Sequence, residues 1–102
     1  MAKVQVCKVS ELPPGRMRGI EVNGKAIAVA NVEGKFYAIN GTCHHEGGPL
    51  AEGELEGKII TCPWHGAQWD VTTGKLEWFQ LPLDPEPTFK TSVEGDTVYV
   101  EA

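Results

Sequence analysis

CHHEGGPL (residues 43–50) and TCPWHG (residues 61–66) are the two stretches that govern both the fold and the chemistry of this 102-residue chain. Each stretch carries one cysteine and one histidine close together, spaced as C-x-H in the first and as C-x-x-H in the second. Sixteen residues separate the two pairs. Two thiolates and two imidazoles form a donor set that suits zinc or an iron–sulfur centre. The pattern therefore predicts a metal site with the ligands Cys43, His45, Cys62 and His65.

The mixed composition of the two stretches bears on which metal group they hold. A Cys₂His₂ zinc finger takes both thiols from one end of its motif and both imidazoles from a helix. Pro63 and Gly66 flank His65 and disfavour a helix there, so we expect a loop. Mixed loops suit a two-iron cluster in which one iron takes both thiolates and the other both imidazoles, with zinc as the alternative. His44 is an alternative ligand, but the C-x-H spacing favours His45.

The double motif closely resembles that of the Rieske [2Fe–2S] family. The neighbouring GGPL (residues 47–50) and CPWHG (residues 62–66) strengthen the resemblance, which covers nearly the whole chain but is specific only within residues 43–66. It implies one [2Fe–2S] cluster, held by the four predicted ligands. It also implies a basal antiparallel β-sandwich or barrel with a smaller cluster-binding subdomain, approximately residues 41–80, inserted between its strands.

Short apolar runs separated by turn residues predict an all-β, antiparallel fold within one domain, residues 1–102. Asn23-Gly24 is the strongest hairpin signal because both positions tolerate positive φ. The strand after it should place Ile27 and Val29 on one face and the alanines at 26, 28 and 30 on the other. No helical periodicity of useful length is present. The predicted strands are residues 4–9, 16–22, 25–32, 35–39, 58–61, 68–71, 75–79, 88–93 and 97–101.

Charge and cysteine content restrict the partners and the compartment. The net charge of −5 and the pI of about 5.1 argue against nucleic acid and anionic membrane surfaces as partners. Three cysteines do not make a disulfide framework, and ligand thiolates must stay reduced, so we expect a cytoplasmic protein. We expect neither a signal peptide nor a membrane span, since no apolar run is long enough. A monomer is expected.

The resemblance also bears on the reduction potential. High-potential respiratory members of the family carry a disulfide and two hydroxyl side chains around the cluster. The corresponding positions here hold Gly48, Trp64, Ala67 and Trp69, none of which supplies either group. Hydrogen bonds to the cluster sulfurs raise the potential, so the resemblance implies the low end of a window of about −150 to +300 mV.

The function implied by the resemblance is electron transfer. The chain has three histidines, no Gly-rich nucleotide loop and no nucleophile–base pair, so we expect an electron carrier and not an enzyme. The resemblance is to the soluble ferredoxins that take electrons from a flavin-dependent NAD(P)H reductase and deliver them to a terminal oxygenase. The alternatives are a small Rieske-like subunit of a nitrite reductase or other oxidoreductase complex, and a zinc-binding structural module.

Other side chains near the motifs have two interpretations each. Trp64 and Trp69 shield the cluster from water or pack in the core. Gly47 and Gly48 let backbone N–H groups approach the sulfurs or only turn the chain. The acidic residues between the motifs form a solvated face or steer a basic partner. We expect Cys7 to be a packed small side chain, and the family resemblance implies that Pro82 covers the cluster.

Overall fold

The computed structural model describes residues 3–22, 24–42, 49–64, 66–79 and 84–101. These residues form ten β-strands and two short 3-10 helices. The strands are β1 (Lys3–Lys8), β2 (Met17–Val22), β3 (Lys25–Val32), β4 (Lys35–Asn40), β5 (Glu54–Glu56), β6 (Ile59–Thr61), β7 (Gln68–Asp70), β8 (Leu76–Trp78), β9 (Thr88–Glu94) and β10 (Thr97–Glu101). The 3-10 helices are Val9–Glu11 and Leu50–Glu52. The all-β, antiparallel prediction is confirmed.

The larger sheet has six strands in the order β1-β10-β9-β4-β3-β2. All its neighbours are antiparallel, and β2 pairs with β3 so that Val22 lies opposite Lys25. Gly24, with φ of 80°, occupies the turn of this hairpin in the left-handed region that glycine adopts without strain. The predicted hairpin is therefore present, although Asn23 lies outside the described residues.

The smaller sheet has four strands in the order β5-β6-β7-β8. All four follow β4 and precede β9 in the chain, while β4 and β9 pair with each other in the larger sheet. Topologically, the small sheet is thus an insertion between two neighbouring strands of the larger one. The chain leaves the larger sheet after β4, forms the small sheet, and returns to the larger sheet at β9.

Two apolar clusters form the core, and β3 contributes to both because its side chains alternate between the two faces of the sheet. Ile27 and Val29 lie in a cluster with buried residues of the larger sheet, including Val98 and Val100. Ala28 and Ala30 lie in a second cluster, which joins the two sheets and also contains Leu50, Ile60, Cys62 and Trp69. This alternation of Ile27 and Val29 with Ala28 and Ala30 agrees with the prediction, and Ala26, near the start of the strand, is exposed.

Three features of the fold have no counterpart among the predicted elements. Strand β5 has the sequence ELE, which has little intrinsic preference for a strand. It forms because its backbone pairs with β6, with Leu55 opposite Ile60. The other two are the 3-10 helices Val9–Glu11 and Leu50–Glu52, since three residues are too few to show a periodicity. The predicted strand 4–9 therefore ends one residue early, at Lys8. Among the described residues, no helix has the length and apolar character needed to cross a bilayer.

Candidate metal centre

The second motif lies on the connection between β6 and β7. Thr61 and Gln68 pair across the two strands, and the Cys62 N–H donates to the Ala67 carbonyl oxygen at 2.8 Å. The Gly66 N–H donates to the Cys62 carbonyl oxygen at 3.1 Å, and Gly66 has a positive φ of 77°. These bonds close a tight loop that starts at Cys62. His65, the other predicted ligand in this loop, lies outside the described residues.

The Cys62 side chain is the one predicted ligand that the described residues include. It is only 3% exposed, and it packs in the cluster that joins the two sheets. Its neighbours in that cluster include Leu50, Ala67 and Trp69, each with 0% exposure. A soft sulfur donor is therefore held in an apolar environment at the start of the loop.

The first motif starts and ends at a narrow neck. Thr42 and Pro49 form an isolated antiparallel bridge, so the chain returns to its starting point after the motif. The Gly41 N–H donates to the Ala26 carbonyl oxygen at 2.8 Å, and the Leu50 N–H donates to the Gly41 carbonyl oxygen at 2.9 Å. Residues 43–48, which include the predicted ligands Cys43 and His45, lie outside the described residues.

The residues that flank the two motifs lie against each other. Gly53, which ends the 3-10 helix after the first motif, lies so close to Thr61 that a Cβ there would collide with the Thr61 carbonyl oxygen. The same Cβ would lie 3.1 Å from Cδ of Pro63, in the second motif. Leu50 and Cys62 also share one apolar cluster. The fold therefore brings the two motifs together, as a shared metal site requires.

The full ligand set stays a prediction. No group of three metal-binding side chains occurs within residues 3–22, 24–42, 49–64, 66–79 and 84–101, and three of the four predicted ligands lie outside those ranges. The alternative ligand His44, the predicted backbone cradle at Gly47 and Gly48, and the predicted cover at Pro82 also lie outside them. What the described residues contribute is one buried thiol and the close approach of Gly53, which follows the first motif, to Thr61 and Pro63 of the second. These fit a group held by thiolates.

The two tryptophans near the second motif differ in environment. Trp69 is fully buried on β7 and packs in the same apolar cluster as Cys62. Trp64 is 55% exposed, so it is a surface residue and not part of the core. The difference arises because β7 directs Trp69 into the space between the sheets, whereas Trp64 lies within the loop.

A carboxylate supports the turn that follows β7. Asp70 is 7% exposed, and its Oδ1 accepts hydrogen bonds from the Thr72 N–H at 2.9 Å and the Thr72 hydroxyl at 2.6 Å. Lys58 Nζ lies 3.3 Å from its Oδ2. Burial alone would raise the pKa of Asp70, but together these hydrogen bonds and the Lys58 charge lower the pKa below its ordinary value of 3.8.

A second buried carboxylate lies beside the neck of the first motif. Glu86 is 2% exposed, and its Oε1 accepts a hydrogen bond from Asn40 Nδ2 at 2.9 Å. Neither Asn40 nor Glu86 is among the residues that the sequence motifs single out. No local signal marks them, because they are 46 residues apart and meet only through the pairing of β4 with β9.

Comparison with known proteins gives the family. Residues 2–90 match the model of the Rieske [2Fe-2S] domain. The ferredoxin component of biphenyl 2,3-dioxygenase from Rhodococcus jostii (strain RHA1) is 38% identical over 101 residues, which cover 99% of this chain and 94% of that protein. Human apoptosis-inducing factor 3 is 38% identical over 97 residues, but the chain spans only 16% of its length.

A solved structure agrees with these matches. A chain in the complex of reduced oxygenase and oxidized ferredoxin in carbazole 1,9a-dioxygenase superposes with a TM-score of 0.90 at 35% identity. The alignment covers 96% of this chain and 91% of the other. The predicted cofactor, a Rieske-type [2Fe–2S] cluster, is confirmed by these comparisons. With its two-sheet fold and its buried Cys62 thiol in the apolar cluster that joins the sheets, the chain belongs to the Rieske [2Fe–2S] domain family.

Proposed function

We propose that this protein is a Rieske-type ferredoxin that carries single electrons to a terminal oxygenase. The observation that supports this most directly is the match over nearly the full length of both chains to a protein named as a dioxygenase ferredoxin component. The superposition on a chain of a ferredoxin–oxygenase complex agrees with it. In this role the chain is an electron-transfer component, and the oxidation chemistry is that of its partner.

Cys43, His45, Cys62 and His65 would hold the cluster. When bound, the cluster supplies a one-electron redox couple. The chain's own residues set the environment of that couple. The apolar cluster that contains Cys62 limits the access of water to the thiolate. The hydrogen bond from the Cys62 N–H to the Ala67 carbonyl oxygen fixes the position of the Cys62 backbone.

A low reduction potential is part of the proposal. Ala67 and Trp69 are fully buried in the same apolar cluster as Cys62, and neither side chain carries a hydroxyl that could donate to a cluster sulfur. Fewer hydrogen bonds to the sulfurs leave the added negative charge less stabilised. We expect a midpoint near the low end of the family window, about −150 mV, and a value above roughly +100 mV in a redox titration would contradict the proposal.

The remaining properties follow from the proposed role. The electron donor would be a flavin-dependent NAD(P)H reductase, and the protein would act in the cytoplasm as a monomer of one domain. Its cluster-binding subdomain would be approximately residues 41–80, which include the four strands of the small sheet. The net charge of −5 supports protein partners over nucleic acid and anionic membranes.

The test of the cofactor compares two buried cysteines. Cys62 and Cys7 are 3% and 4% exposed, but Cys7 lies on β1 in the other apolar cluster. Iron, acid-labile sulfide and the EPR spectrum of the dithionite-reduced protein are measured for wild type, Cys62→Ser and Cys7→Ser. We expect Cys62→Ser to lose iron and sulfide and Cys7→Ser to keep both. Zinc without sulfide in the wild type would overturn the proposal.

The test of the partner class is a rapid-mixing experiment. The reduced protein is mixed with the oxidised terminal oxygenase of carbazole 1,9a-dioxygenase, and the absorbance of both proteins is followed. We expect reoxidation of this protein with reduction of the oxygenase, one electron for each ferredoxin consumed. No electron transfer to this oxygenase, or to the oxygenases of biphenyl and naphthalene dioxygenase systems, would contradict the proposed role.

A further inference from the structure

Glu86 is an unusual residue for its position. It lies in the segment that leads into β9, between Pro85 and Pro87, and it is 2% exposed. Glutamate is almost never buried unless its carboxylate is paired or hydrogen-bonded, because burial removes the favourable hydration of the charge. Asp84, two residues earlier in the same segment, is exposed. The burial of Glu86 therefore reflects what its side chain contacts.

The side chain of Glu86 is linked to the backbone that precedes the first motif by hydrogen bonds through Asn40. Asn40 Nδ2 donates to Glu86 Oε1 at 2.9 Å and to the Thr42 carbonyl oxygen at 3.2 Å. The two hydrogens of one amide group are thus shared between the carboxylate and the backbone of the residue that precedes Cys43. The carboxylate fixes the orientation of the amide, and the amide fixes the chain as it enters the first loop.

The main chain of the same residue holds the small sheet. The Glu86 N–H donates to the Gly74 carbonyl oxygen at 2.7 Å, and a Cβ on Gly74 would collide with the Glu86 carbonyl oxygen. Gly74 in turn donates to the Asp70 carbonyl oxygen at 2.7 Å, at the end of β7. Strand β7 runs from that turn to Gln68, which pairs with the residue before Cys62. Glu86 therefore connects to the second loop as well as to the first.

We propose that Glu86 is a positioning residue that fixes the two cluster-binding loops relative to each other. Its side chain holds the first loop through Asn40, and its backbone holds the sheet that carries the second loop. This inference rests on the proposed function for the presence of the cluster. Hydrogen bonds beyond the ligands orient those ligands, and the loss of one typically costs about 10- to 100-fold in metal affinity.

The test measures how fast the holoprotein loses its cluster to excess iron chelator, followed by the decay of visible absorbance. Glu86→Ala removes the acceptor, whereas Glu86→Gln keeps an oxygen in the same place. Asp84→Ala is the matched control in the same segment. We expect loss at least about tenfold faster in Glu86→Ala, within about threefold of wild type in Glu86→Gln, and unchanged in Asp84→Ala.

Asn40→Ala removes the donor of the same hydrogen bond. It replaces Glu86→Ala in the test if that variant folds poorly. If the two residues act as one unit, the double variant loses its cluster no faster than the faster single variant, because their effects are not additive. The EPR line shape of the reduced protein is recorded for every variant. We expect it to change in Glu86→Ala and Asn40→Ala and to be preserved in Glu86→Gln, which a role in stability alone would not produce.

The outcomes separate this inference from the proposed function. A wild-type protein with a full cluster, combined with equal loss rates and EPR spectra for Glu86→Ala and Asp84→Ala, overturns the positioning role and leaves the electron-carrier proposal intact. Loss in Glu86→Gln as fast as in Glu86→Ala also overturns it, since glutamine keeps the acceptor. A wild-type protein without sulfide overturns both.

Discussion

At the scale of single residues, the buried polar side chains each secure a loop. Among the described residues they are Asn31, Asp70 and Glu86. Asn31 donates to the Leu12 carbonyl at 2.8 Å and accepts from the Gly34 N–H at 2.8 Å. Buried polar groups are costly unless they are hydrogen-bonded, and these three are bonded to backbone or side-chain groups of turns and loop necks. Their contribution is to fix turns and loop necks.

Asp70 makes the stability of the fold depend on pH in the acidic range. Its folded-state pKa lies below the ordinary 3.8 because the hydrogen bonds from Thr72 and the Lys58 charge outweigh the effect of burial. The ionised form is thus favoured by folding. Its stabilising contribution is complete above the unfolded-state pKa and is lost as the pH falls through the folded-state value. The free energy of unfolding should therefore decrease on acidification below about pH 4.

The measurement is urea unfolding of wild type and Asp70→Asn between pH 3 and pH 7. We expect Asp70→Asn to be less stable by about 1–3 kcal/mol at pH 7, with the difference shrinking toward pH 3. Asp84→Asn, at an exposed carboxylate, should follow the wild-type curve. A difference between wild type and Asp70→Asn that is the same at both ends of the pH range would contradict the assignment.

At the scale of elements, β5 is the strand that joins the two motifs. It starts directly after Gly53, pairs with β6, and leads through Gly57 to the strand that carries the second motif. Gly53 has an ordinary φ of −82°, so its need for glycine is steric and not conformational. The lack of a side chain lets the chain after the first motif pass against Thr61 and Pro63.

Gly53→Ala should loosen this contact and weaken the fold. A Cβ cannot be accommodated without moving the backbone of Thr61, and such overpacking costs about 1–3 kcal/mol. Gly57→Asn is the matched control at the other end of β5, because Gly57 has open space around it and a φ of 61° that asparagine tolerates. Urea unfolding of both variants checks this. If Gly53→Ala and Gly57→Asn had the same free energy of unfolding, the backbone around Gly53 would accommodate a Cβ without cost, and the prediction would be wrong.

At the scale of the whole molecule, the charge distribution around the small sheet is acidic. Glu52, Glu54 and Glu56 are exposed, and we call them the acidic rim. Lys58, the nearest positive residue in sequence, lies within ion-pair distance of Asp70. Arg16 lines the same cleft as Glu54 and Glu56, so the acidic rim is partly compensated, and it lies on and beside the edge strand β5. Such a surface can speed the association of a partner with a basic face.

If the acidic rim steers the partner, the second-order rate of electron transfer to the oxygenase should fall as salt is raised from about 0.01 to 0.15 M, because screening shortens the reach of exposed charges. The double variant Glu54→Gln/Glu56→Gln should be slower at low salt and less dependent on salt. The control is the double variant Glu33→Gln/Asp96→Asn, which also removes two negative charges but from turns away from β5. Equal salt dependence in both variants would show that the rim is only a solvated face.

Local sequence patterns are sufficient to predict a metal site and the class of fold. Ligand identity and spacing are local properties, so the double motif alone predicts a metal site and carries the resemblance that implies a cluster. Alternating apolar residues and turn dipeptides likewise predict the strands of the larger sheet, because β3 and its neighbours are patterned residue by residue.

The way in which the two motifs are brought together depends on tertiary contacts alone. Strand β5 exists through pairing and not through propensity, and the requirement for glycine at position 53 comes from a carbonyl eight residues away. Glu86 and Asn40 are 46 residues apart, and their contact depends on β9 returning beside β4. Contacts of this kind join residues that are distant in sequence, and no local pattern encodes them. That is why the supports of the cluster loops are visible only in the folded chain.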